Sequence, residues 1–362
     1  MHFCRYIIRM KKVLLFILTV ISLNTSAQVE KAMVNELLFK QDGLLYNHAE
    51  YGVSIGIVKG NKVFYIASGK RAGAKKPIDQ HTLFEVGSVT KTFTGLLLAQ
   101  QIVNKHISSN AYMDAYLPPH FNLAPELQHQ VKITDLASHQ SGLPNLSNDE
   151  YISDLFKQNP EQPFSLVSPA YIYQVLKGTK SLKEYHEYHY NNYAYALLGL
   201  LLQNATRQSY DQLLRSQLIR PLGLKQTFLG IYGSNNIAGR FTAKGEPKPA
   251  IAVLNAIAPA GGLRSDAVDM LKYVQVQLNP PASLKKAVSL SHKRYYSDNK
   301  HVVGLGWEIY PHYLEKSGDT FGNSALLRFN SKKKLGIVIL SDHQDAQLLE
   351  DIADAVFTEL EK

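Results

Sequence analysis

Thiols are almost missing from this chain: Cys4 is the one cysteine in 362 residues. It falls in a stretch that reads as a removable leader, so the rest has no disulfide framework, no thiolate nucleophile and no cysteine-based metal site. No internal repeat, low-complexity tract or long linker interrupts the sequence. A glycine-rich phosphate loop and a dinucleotide fingerprint are both missing, and no cofactor is expected. The string His186-Glu187-Tyr188-His189 lacks the four-residue histidine spacing of a zinc-protease helix, so it reads as a polar loop and no metal is expected.

Long apolar runs are also scarce. Val13–Leu23 is 11 residues, too short to span a bilayer comfortably. Lys11-Lys12 precede it, and the small residues Thr25 and Ala27 follow. That order predicts a signal peptide over 1–27, export to the periplasm or beyond, and no stable membrane span after cleavage. Arg5, Arg9, Lys11 and Lys12 lie in this leader without any acid, and supply four of the formal nine net positive charges. The remaining basic residues are scattered, apart from Lys332-Lys333-Lys334, which reads as a hairpin tip. No nucleic-acid partner is expected.

The composition is 45% hydrophobic and 19% charged, ordinary for a globular protein. Val29–Tyr46 has an amphipathic helical pattern. Val53–Val58 and Val63–Ser68 flank Lys59-Gly60-Asn61-Lys62 as a hairpin. Helical periodicity begins at Ser88 and recurs over Ile133–Ser138, Ala194–Asn204, Tyr210–Leu218 and Asp266–Leu278. Val302–Tyr310, Tyr313–Ser317, Ser324–Phe329 and Leu335–Leu340 are strand-like, and a last helix covers Ala346–Leu360. The expected class is α+β, an α/β sandwich whose antiparallel sheet is built from both chain ends, flanked by helices, with an inserted all-helical subdomain. The sheet subdomain is placed at about 28–87 and 245–362, and the helical one at about 88–244. A cleft between them is the natural place for a site.

Three short strings carry chemistry. In Ser88-Val89-Thr90-Lys91, positions i and i+3 share a helix face, so a hydroxyl and an amine can meet. A serine hydroxyl attacks a carbonyl only if a base takes its proton, and a lysine serves once burial or a second cation lowers its pKa. Other Ser-x-x-Lys strings start at Ser283, Ser297 and Ser331. Only Ser88 opens a strongly apolar helix, where free backbone N–H groups can hold an oxyanion. Tyr190-Asn191-Asn192 supplies a phenol able to shuttle a proton beside cations, and amides able to orient a carbonyl or a lysine. Lys316-Ser317-Gly318 follows a strand pattern; its cation can lower neighbouring pKa values or hold a carboxylate, and Gly318 leaves room for a substrate backbone. His139-Gln140-Ser141 sits in a turn and is not read as a triad.

Taken in order, Ser-x-x-Lys, Tyr-x-Asn and Lys-Ser-Gly resemble the three boxes of penicillin-recognising serine enzymes, with the tyrosine of class C β-lactamases and their DD-peptidase and esterase relatives. Phe84-Glu85-Val86-Gly87, Leu136 to Pro144, Pro221-Leu222-Gly223-Leu224, Pro259-Ala260-Gly261-Gly262-Leu263 and Gly304-Leu305-Gly306-Trp307 look like that family's recurrent segments. The resemblance implies a β-lactamase/transpeptidase-like fold and an acyl-enzyme hydrolase of β-lactam or D-alanyl-type amides, foremost a class C-like β-lactamase. The alternatives are a DD-carboxypeptidase or penicillin-binding protein, a short-chain esterase, or a non-enzymatic sensor of β-lactams or cell-wall fragments. The substrate would be a small molecule or a peptidoglycan-derived fragment. It further implies Ser88 as nucleophile, Lys91 as its base, Tyr190 as proton carrier to the leaving amine, and Lys316 as the group tuning both. Asn192 would bind the substrate's amide side chain, with Ser317, Gly318 and Asp319 lining the binding edge and the backbone N–H groups of Ser88 and Asp319 forming the oxyanion hole. Asp319 departs from the pattern, because a carboxylate beside that donor is unwelcome unless it turns away. A further cleft glutamine falls to Gln128 or Gln130.

Overall fold

The computed structural model describes residues 27–71, 76–146, 150–230, 236–250 and 255–362. The leader predicted over 1–27 therefore lies, except for Ala27, outside the described residues. Among these, no helix is long and apolar enough to cross a membrane.

An eight-stranded antiparallel sheet takes strands from both ends of the chain. Its strands are β1 (Val53–Lys59), β2 (Lys62–Ser68), β3 (Tyr296–Ser297), β4 (Val302–Val303), β5 (Glu308–Ile309), β6 (Leu314–Asp319), β7 (Ser324–Asn330) and β8 (Leu335–Ser341). They lie in the order β2-β1-β8-β7-β6-β5-β4-β3. The central strands β7 and β8 are buried along their whole length. Both faces of the sheet are therefore covered, and alternate residues feed two different cores.

On one face Leu326, Ile337 and Ile339 pack with Val34 and Leu38 of α1 (27–39) and with Ile352 and Val356 of α6 (Ala346–Glu361). On the other, Ala325, Leu327 and Val338 join the larger core, which includes α2 (Thr90–Val103), α3 (Ile133–Ala137), α4 (Asn192–Thr206) and α5 (Ala267–Leu278). The helical layer of α2, α3 and α4 thus stands on the face that carries Lys316 and Gly318, since these pair with Leu327 and Ala325.

Three elements depart from the regular course their hydrophobic pattern suggests. The first helix stops at residue 39, not Tyr46, because Asp42 takes a left-handed φ of 66° and the chain doubles back so that Leu45 N–H reaches Leu38 O at 2.8 Å. The helix from Tyr210 runs regularly to Leu214 and then widens into a π turn over Arg215–Ile219, ahead of Pro221. The expected strand Val302–Tyr310 is broken into β4 and β5 by Gly304-Leu305-Gly306. Gly306 has φ 86°, and a Cβ there would lie 2.4 Å from Lys91 O, so the turn is pressed onto α2. The basic run Lys332-Lys333-Lys334 is the tip joining β7 to β8.

Candidate active site

The segment leading into α2 is bound on both sides before the helix begins. Phe84–Glu85 pairs with Leu263–Ser265, and a buried ion pair joins Glu85 to Arg264 at 2.7 Å. Gly87, at φ 48°, then turns the chain into a single 3-10 turn, Gly87–Val89, with α2 starting at Thr90. Ser88 is consequently not inside the α-helix but on the turn that enters it. The i, i+3 relation to Lys91 survives, because a 3-10 turn repeats every three residues.

Lys91 has no exposure. Its Nζ donates to Ser88 Oγ at 2.9 Å, to Asn192 Oδ1 at 2.7 Å and to Ala260 O at 2.6 Å. Burial pulls its pKa down to about 8, against the opposing pull of Tyr190 and with added push from the Lys316 charge. A lysine at about 8 is partly neutral near physiological pH, as a proton acceptor must be.

Tyr190 OH donates to Ser88 Oγ from the other side. Burial alone would raise the phenol's pKa, but the cations of Lys91 and Lys316 outweigh it and hold it below its usual value. The two ammonium groups stand 4.8 and 4.9 Å from the ring centroid. The ring is positioned by its chain neighbours. Asn191 caps α4 through Ala194 N–H at 2.8 Å and donates to Leu143 O and Pro144 O. Asn145 donates to the Tyr190 carbonyl. Ser141-Gly142-Leu143-Pro144 is thus the cradle of the second box.

Lys316 lies on β6 with 4% exposure, and its Nζ donates to Glu308 Oε1 on β5 at 2.8 Å. Burial disfavours its charge, yet Glu308 and Tyr190 outweigh that and keep it protonated. Paired in this way, Lys316 keeps its charge and acts on Tyr190 and Lys91 through space.

Gly318 lets β6 touch the Ser88 turn: a Cβ there would lie 2.3 Å from Val86 O and 2.6 Å from Ser88 N. Asp319 follows. Its carboxylate accepts from Ser324 Oγ on the neighbouring strand, and strand alternation puts it on the face opposite Lys316 and Gly318. Ser317 shares that face. The carboxylate has turned off the Ser88 side, and burial together with nearby Asp345 pushes its pKa up.

A cavity of about 230 Å³ opens over Ser88, lined also by Asn192, Ala260, Gly261, Phe164 and Asp319. Ser88, Lys91, Tyr190, Asn192 and Lys316 are therefore brought together, with Gly318 against the Ser88 turn and Asp319 among the cavity's lining residues. Asn192 holds Lys91 through its amide oxygen, the lysine-orienting task its amide was expected to be able to perform. Gln128 and Gln130 are exposed and do not line the cavity.

Two residues were not foreseen. Glu308 clamps Lys316; its signal was its place just after Gly304-Leu305-Gly306-Trp307, one strand over from the third box. His139 lies 4.5 Å from the Tyr190 ring, and its Nδ1 accepts from Asn191 N–H at 3.1 Å. Burial, with Lys316 and Lys91 nearby, keeps that imidazole neutral, its pKa well below the usual value.

The sequence matches the Beta-lactamase family over residues 28–358. The chain belongs to that family. It is a serine hydrolase of the β-lactamase/DD-peptidase type. It is 26% identical over 318 residues to a "Beta-lactamase" of Pseudomonas fluorescens, covering 84% of this chain and 80% of that one. It is 27% identical over 307 residues to "Protein flp" of Staphylococcus aureus (strain MW2), covering 80% of this chain but spanning only 59% of that protein's length. The crystal structure of a β-lactamase/D-alanine carboxypeptidase from Pseudomonas syringae shares the fold, with TM-score 0.75, 20% identity, 93% of this chain and 99% of that chain covered. The β-lactamase/transpeptidase-like fold expected from the three boxes is the one observed.

Proposed function

We propose that the protein is an exported acyl-enzyme hydrolase of β-lactam or D-alanyl-type amide bonds, of class C-like character. The observation that carries this reading is Ser88 Oγ held between Lys91 Nζ and Tyr190 OH, three atoms from two segments 102 residues apart. Ser88 Oγ attacks the carbonyl while its proton passes to the Lys91–Tyr190 pair. The tetrahedral oxyanion is held by the N–H groups of Ser88 and Asp319. Collapse breaks the C–N bond, the amine leaves with a proton from Tyr190, and an acyl-Ser88 ester remains. Water then attacks that ester, Tyr190 takes its proton and passes it to Ser88 Oγ as the C–Oγ bond breaks, and the acid departs. The turned-away carboxylate of Asp319 favours this scheme, since it keeps negative charge off the oxyanion side.

A second reading is a D-alanine carboxypeptidase, favoured by the structural neighbour, which carries both activities in its description. The two differ in how fast water reaches the acyl-enzyme. A time course with a chromogenic cephalosporin separates them. Steady turnover supports the β-lactamase reading, and a stoichiometric burst that stalls supports the peptidase. No burst and no turnover would contradict both.

A further inference from the structure

Tyr190, which hands a proton to the leaving nitrogen, is not among the described residues lining the cavity over Ser88, and neither is Lys316. The leaving nitrogen therefore lies on the Tyr190 side of Ser88, and the acyl side of a substrate reaches into the cavity.

Most of the surface that this cavity presents is carbon. Ile257 and Ala260 are buried and have little left to offer. Among the described lining residues, the apolar side chains with surface to give are Phe164 and Phe321, both half-buried. Phe164 sits on the short turn Pro163–Leu166, and Phe321 on the turn that joins β6 to β7. Their rings stack with centroids 5.7 Å apart and planes 3° from parallel. Against Phe321 also leans Phe156, from the helix Glu150–Gln158, at 6.0 Å and 61°. Phe156 is still 39% exposed. Three rings from three segments thus form one apolar surface beside the nucleophile, with part of it left in water for a bound group to cover.

Charge is scarce on the same wall. Asp319 is the one described lining residue with an ionised side chain, and its carboxylate is taken by Ser324 Oγ on the sheet face opposite Gly318. A charged acyl side chain would lose water here and find no ion in its place, whereas a phenyl ring gains by leaving water.

We propose that Phe164 and Phe321 determine specificity by forming a subsite for an uncharged aromatic side chain on the acyl side of the bond that Ser88 attacks. This rests on the acyl-enzyme reading above and narrows it, away from acyl chains that carry ammonium or carboxylate groups. In the selected reaction Ser88 Oγ bonds to the carbonyl carbon, the C–N bond breaks, and the serine proton ends on the departing nitrogen. The aromatic group binds and does not react.

Penicillins that share one bicyclic nucleus and differ only in the 6-acylamino side chain test this: acetyl, phenylacetyl, and the zwitterionic α-aminoadipoyl chain. kcat/KM, or the second-order rate of Ser88 labelling where the adduct accumulates, reads the acylation step for each. The phenylacetyl compound should react roughly tenfold or more faster than the acetyl one, as burial of a phenyl ring allows. The zwitterionic compound should be no faster than the acetyl one. Phe164→Ala and Phe321→Ala should each cut the phenylacetyl-to-acetyl ratio to about threefold or less, and Phe321→Leu, which keeps an apolar wall, should retain most of it. Ratios cancel any loss of folded protein common to the series. Equal rates for the phenylacetyl and acetyl compounds on the natural chain, a zwitterionic compound as fast as the phenylacetyl one, or a full ratio in both alanine variants overturns this inference alone. If no penicillin is attacked at all, the acyl-enzyme reading fails and takes this inference with it.

Discussion

Lys91 is a full side chain of amine with no access to water, and its surroundings decide which proton it holds. Burial works against its charge, and the second cation at Lys316 works in the same direction, so the amine gives up its proton near pH 8. Only the neutral amine can accept the serine proton. Acylation of Ser88 is therefore expected to rise as pH climbs through about 8 and to flatten above it. Lys91→Ala should lower the rate by about 10²–10⁴, the usual worth of a positioned proton carrier, and remove that inflection. Stopped-flow acylation from pH 6 to 10 checks both; a pH-independent rate would contradict the assignment. At this scale the sequence was readable where a role lives in one short string. Ser88, Lys91, Tyr190 and Lys316 each announce themselves by neighbours along the chain. Glu308 and His139 do not. Glu308 meets Lys316 only because β5 and β6 pair side by side. His139 meets Tyr190 only because a left-handed φ of 61° swings it inward.

Elements bring these residues into register through glycines at points of close approach. Gly318 is the sharpest case, with Val86 O and Ser88 N both inside the volume a Cβ would fill. Gly318→Ala must lift β6 away from the Ser88 turn, and with it the Asp319 N–H and Lys316. A displacement near 1 Å costs on the order of 10² in rate, so cephalosporin turnover should fall by about that factor while the circular dichroism spectrum is kept. Retained turnover would mean that β6 does not help shape the site. The hydrophobic periodicity placed β1, β2, β6, β7, β8 and the helices α2, α4, α5 and α6 within a few residues. It failed where contact from elsewhere bends the backbone. The turn at Gly304 to Gly306 splits a run that alternates well enough for one strand, because α2 lies against it. Gly304 and Gly306 are the local mark of that break, but the contact with α2 that presses the turn into place is not written in Val302–Tyr310.

For the molecule as a whole, the sheet is the common wall of two cores, one under α1 and α6 and one under the helical layer. The first and last segments of the chain meet on it, with β1 paired to β8 from Val53↔Ser341 to Lys59↔Leu335. Neither core can be lost without exposing the other's floor, so unfolding should be cooperative. Trp307, the one tryptophan, is fully buried in the helical-side core. Its fluorescence transition in urea should coincide with the far-ultraviolet circular dichroism transition; two separated midpoints would mean the cores fold independently. The same wall carries the third box to the first, and α4 delivers the second. A hydroxyl at residue 88, an amine at 91, a phenol at 190 and a cation at 316 become one reactive unit only in this fold. Intact mass spectrometry after exposure to a penicillin tests that convergence most directly. The natural chain should gain the mass of one penicillin or release hydrolysed penicillin, and Ser88→Ala should do neither; an adduct or turnover of equal yield on the alanine protein, or neither on the natural one, would contradict the account.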